Sequence, residues 1–88
     1  MANIKNVPAA VVNVIARASH RPPNSITGAQ NLGKPAPIGM DNPTILGMIP
    51  ALNFIIKQFK PTNFISIPEM SSVGTVSDLI ALVLKKCK

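Results

Sequence analysis

The chain has no tryptophan and no tyrosine, and its aromatics amount to three phenylalanines. Tyrosine or tryptophan platforms for stacking nucleic-acid bases are therefore absent. It has one cysteine, Cys87, and one histidine, His20. A single thiol excludes an internal disulfide and a multi-cysteine metal site. A single histidine with no second histidine or carboxylate cluster near it builds no metal site. Ser, His and Asp occur at no spacing that marks a nucleophile. No Gly-rich stretch is followed by the lysine and serine of a phosphate cradle. Acids are as scarce: Asp41, Glu69 and Asp78 face nine Lys and Arg, for a net charge of +6. Long apolar runs are also missing. The strongly apolar stretches Leu52–Ile56 and Leu79–Leu84 fall far short of the roughly 20 residues needed to cross a bilayer.

What is present is the composition of one packed domain. Apolar residues make up 47% of 88, too many for a disordered tail. The basic residues are scattered from Lys5 to Lys88 with no arginine-rich run, so nucleic acid is not the expected partner. The opening MANIKNVPAAVV lacks the charged start, apolar run and cleavage site of a secretory signal, and a cytoplasmic location is expected. Cys87 lies among lysines near the end of the chain and is expected to be exposed.

Helical spacing of Val7, Val11, Val14, Ile15 and Ala18 predicts a first helix over residues 8–19. Pro8 suits its first turn, and Arg21-Pro22-Pro23 stops it. Residues 20–41 carry four prolines and three glycines and read as a long loop. A loop of this length needs pinning, and Ile26, Leu32 and Ile38, six residues apart, are the expected anchors. Residues 43–60 form a second helical region with a wide apolar stripe from Ile45 to Phe59. Asp41 or Asn42 can cap it, and Pro50 either kinks it or opens a second piece. Residues 62–74 read as an extended connector with one helical turn near Glu69–Val73. Residues 75–86 form the clearest helix, with Thr75 and Asp78 placed as a capping box.

This order, with Ile26-Thr27, Leu32, Ile38-Gly39-Met40-Asp41-Asn42-Pro43, Ala51-Leu52, Ile67-Pro68-Glu69 and Thr75-Val76-Ser77-Asp78-Leu79-Ile80, resembles the acyl carrier proteins. The resemblance covers roughly residues 8–85. It implies an all-α fold: a small acyl-carrier-like bundle of three main helices plus a short one, as a single domain. In that family the serine after the aspartate is esterified to 4'-phosphopantetheine, and here that position is Asn42. A carboxamide is no phosphate-ester nucleophile, and no other serine follows an aspartate at a helix head. The next position, a leucine used in partner docking, is Pro43. The family's acidic second helix is replaced by a stretch, residues 42–68, with no acid and two lysines, Lys57 and Lys60. About seven extra residues separate Ala51-Leu52 from Ile67-Pro68, by the family's spacing.

The expectation is thus a monomeric, non-enzymatic protein, acyl-carrier-like but not phosphopantetheinylated, without cofactor or metal. It would act through a protein partner at Asp41, Asn42, Pro43, Lys57 and Lys60. Asn42 itself is expected to serve as an inert helix cap. Two alternatives stand beside this reading. One is a working but atypical acyl or peptidyl carrier in fatty-acid, polyketide or related biosynthesis, modified at another serine or holding a ligand non-covalently. The other is a basic module for nucleic acid or an anionic membrane.

Overall fold

The computed structural model describes residues 4–33 and 39–88. The expected anchor Ile38 lies outside them. The described residues form an all-α bundle. Its helices are α1 (Val7–Ser19), α2 (Asn42–Gly47), α3 (Ile49–Lys57), α4 (Ile67–Ser71) and α5 (Val76–Cys87). Short 3-10 turns at Ile4–Asn6 and Pro23–Ser25 precede and follow α1. α1 packs most extensively against α5, and α3 against both.

Apolar periodicity builds this core. Val7, Val11 and Ile15 of α1 are buried against Leu52 and Ile56 of α3 and Val76, Leu79 and Val83 of α5 in one continuous cluster. Fully burying a side chain of this size contributes about 1.5–3 kcal/mol, and among the described residues no polar or charged side chain is buried beside them. No helix of the described residues is long and apolar enough to cross a membrane.

Pro50 divides the second helical region; it does not kink it. Pro50 falls in the first turn of α3, where its missing N–H would have no intrahelical partner. The break is at Met48, whose N–H donates to Ile45 O at 3.2 Å while its carbonyl accepts from Leu52 N–H at 3.0 Å. α3 ends at Lys57, and the N–H groups of Phe59 and Lys60 close a last turn onto Ile56 O at 2.9 Å.

The connector holds the second departure. The helical turn expected near Glu69–Val73 is α4, and it begins earlier, at Ile67, because Ser66 caps it. Ser66 and Glu69 form a complete capping box, and the S-x-x-E spacing was there to be read. Before it, residues 63–66 form neither helix nor strand, and a 2.7 Å hydrogen bond from Ile65 N–H to Asn53 Oδ1 holds them to α3.

The loop after α1 is pinned as its length demands. Ile26 and Leu32 are buried. Its backbone is also stitched to the head of α5: Leu32 N–H donates to Gly74 O, Val76 N–H to Gln30 O and Ser77 N–H to Gly28 O, at 2.9–3.0 Å. An isolated antiparallel bridge between Asn31 and Thr75 lies at the centre of this stitch.

Cys87 is buried, at 3% exposure, and not exposed as its lysine neighbours imply. It stands four residues after Val83 on the apolar face of α5, and helical phase overrides local composition there. Burial pushes its thiol pKa up.

Candidate functional site

The end of the loop delivers the chain to the head of α2. Met40 is buried, and its N–H donates to Leu32 O at 3.0 Å, which fixes the approach. Asp41 then adopts an extended backbone, and its Oδ1 accepts from Thr44 N–H at 3.0 Å. Asp41, not Asn42, is therefore the cap, a contact worth about 1 kcal/mol. Asn42 is the first residue of the helix and Pro43 the second, and all three are exposed.

Asn42 stands at the edge of an open cleft of about 450 Å³. Ile45 and Leu46 of α2 form one wall, Met70 and Ser71 of α4 another, and Asn31, Gly33, Val73 and Gly74 close the end. The cleft sits where α2 meets α4 across the stitched loop. Its lining mixes the apolar side chains of Ile45, Leu46, Met70 and Val73 with the amides of Asn31 and Asn42.

The chemistry at this position is limited by the side chains present. Asn42 offers a neutral carboxamide that donates and accepts hydrogen bonds but carries no hydroxyl. The residues present do not fit an ester-linked phosphopantetheine arm at Asn42. Among the serines, Ser19, Ser25, Ser66 and Ser72 donate their hydroxyls to neighbouring oxygens at 2.7–3.1 Å. Ser71 is the serine that lines the cleft.

Lys57 and Lys60 are not brought to this site. Lys60 O accepts from Asn63 N–H at 3.0 Å, and the Asn63 side chain donates to Lys86 O at 2.8 Å, at the tail of α5. Gly74, which lines the cleft, lies just before the head of α5. With 12 residues, α5 is about 18 Å long, so the sequence-predicted surface splits between two ends of the bundle.

Glu69 is a perturbed acid. The Lys86 ammonium, 2.8 Å away, and the Ser66 backbone N–H hold its carboxyl down at about 2. This pair ties α4 to the tail of α5 and belongs to the frame, not to the cleft. His20 is exposed at the end of α1 and, among the described residues, no group of three or more His, Cys, Asp or Glu comes together to hold a metal ion.

Comparison with known proteins returned no matching family model, no matching curated protein and no matching solved structure.

Proposed function

We propose that the chain is an acyl-carrier-like, non-enzymatic protein that is not phosphopantetheinylated and acts by being bound by another protein at the head of α2. The supporting observation is the position of Asn42. It is exposed, it follows a capping aspartate as the first residue of a helix, and it lines a cleft between α2 and α4. An exposed helix head beside a cleft supports a contact with a second protein, and Asn42 carries no hydroxyl to be esterified. Asp41, Asn42 and Pro43 form the contact surface in this reading, and Lys57 and Lys60, at the other end of the bundle, are not part of it. The protein is a cytoplasmic monomer in the same reading.

The test is incubation with coenzyme A and a broad-specificity phosphopantetheinyl transferase, read by intact mass. No mass gain is expected for the native chain, and gain of one pantetheine arm by Asn42→Ser would show the frame intact. A gain of one arm by the native chain would overturn the proposal.

A second reading, a working atypical carrier, is favoured by one observation: Ser71 places a hydroxyl on the same cleft. Fragmentation of a loaded native chain would then locate the arm on the peptide holding Ser71, and Ser71→Ala would abolish loading.

A further inference from the structure

The pole of the bundle away from Asn42 has a character of its own. Phe54, Phe64 and Ile67 are 70%, 57% and 61% exposed, the large apolar side chains most open to solvent among the described residues. They come from α3, the connector and α4, and a single hydrogen bond gathers them. Ile65 N–H donates to Asn53 Oδ1, so Phe54 is one residue from that bond on one side, and Phe64 and Ile67 are one and two residues from it on the other. Phe54 lies in the middle of the outward face of α3, with Ala51, Lys57 and Gln58, opposite the buried Leu52 and Ile56.

Lysines surround this patch. Lys57 and Lys60 follow Phe54 along the chain. Asn63, next to Phe64, is bonded to Lys86 O, which brings the tail of α5 with Lys85, Lys86 and Lys88 to the same place. Five of the nine basic residues of the chain thus lie on the segments that this bond brings together beside the exposed phenylalanines. The acid among them, Glu69, is taken up by Lys86, while Lys57, Lys60, Lys85 and Lys88 make no ion pair among the described residues.

We propose that this pole is a docking surface for an anionic lipid bilayer, with Phe54, Phe64 and Ile67 entering the headgroup–acyl boundary and the lysines facing lipid phosphates. Charge complementarity selects an anionic surface. The protruding side chains select a fluid one, because a bilayer accepts convex apolar side chains without a matching pocket. Lysine stems extend the apolar contact while their ammonium groups stay at the headgroups. The proposal does not rest on the carrier-like reading, since Asn42 lies at the other end of α5.

The experiment is co-sedimentation of the intact chain with vesicles of phosphatidylcholine alone and of phosphatidylcholine with one-third phosphatidylglycerol. Binding to the mixed vesicles, falling steeply with salt, is expected, with none to phosphatidylcholine alone. Phe54→Ser with Phe64→Ser leaves the charge unchanged and should weaken binding about tenfold or more. Lys57→Gln with Lys60→Gln should weaken it by a similar factor. All four positions are exposed, and circular dichroism of each variant beside the native chain is the check that it folds. Phe54→Trp, in a chain with no native tryptophan, reports depth: its emission should be quenched by brominated acyl chains. Absence of binding to the mixed vesicles overturns the proposal. So does binding that the phenylalanine pair leaves unchanged, a bound Phe54→Trp variant that brominated lipid does not quench, or equal binding to soluble polyglutamate, which would mark an acidic protein as the partner. Asn42→Ser should leave vesicle binding unaltered.

Discussion

The side chain of Asn63 donates a 2.8 Å hydrogen bond to the backbone carbonyl of Lys86, across 23 residues of sequence. The last carbonyls of a helix have no partner within it, so this contact satisfies one such group of α5 from outside. It also fastens the chain that leaves α3 to the tail of α5. Asn63→Ala should therefore destabilise the fold by about 1 kcal/mol, or roughly 4–8 °C in Tm for a domain of this size. Asn53→Ala should cost more, about 1–3 kcal/mol, because it leaves the N–H of the buried Ile65 without a partner. Thermal unfolding of the two variants beside the native chain checks the order.

Glu69 makes stability depend on pH in the acid range. Its folded pKa, about 2, lies below its ordinary value of 4.5. The stabilisation is complete above the ordinary value and is lost as pH falls through the folded one. Tm should thus decline between pH 4.5 and 2, and Glu69→Gln should flatten that part of the profile while lowering Tm at neutral pH. A decline of equal size in the variant would assign the acid sensitivity to other groups.

His20 ends α1 in the left-handed region, at φ 58°. Arg21 N–H donates to Ala16 O at 3.0 Å in the manner of a Schellman turn, a position that favours glycine. His20→Gly should raise stability by about 1 kcal/mol by removing the Cβ conflict. Denaturant midpoints measured on both chains decide it, and a loss of stability would mean that the imidazole makes a contact worth more than the strain.

Cys87 should be a slow thiol. It is 3% exposed and its pKa is raised by burial, so little thiolate is present at neutral pH. Reaction with a disulfide reagent should be many times slower in the native chain than in denaturant. Equal rates in the two states would contradict its burial.

The three long stretches of helix were legible from apolar period and punctuation, because Val7–Ile15, Leu52–Ile56 and Val76–Val83 each repeat at helical spacing and end at prolines or caps. The outcome at Pro50 was legible as two options, and the choice depended on whether Met48 closes a turn back onto Ile45. Cys87 was misjudged because its neighbours in sequence are lysines, whereas its neighbours in space are set by Val83 one turn earlier. Asp41 and Asn42 are equally good capping types, so only the approach angle fixed by Met40 distinguishes them. The gathering of Lys57, Lys60 and Lys86 was invisible, since it rests on Asn63, whose partner is 23 residues away.

The stitch between residues 28–32 and 74–77 carries a kinetic consequence. Each of its hydrogen bonds closes a chain segment of more than 40 residues, so its entropy cost falls on the late stage of folding. The backbone bonds that fix residues 28, 30 and 32 therefore exist only once the head of α5 is in place. Removing α5 should accordingly release the head of α2 as well, which couples the middle of the chain to its last helix.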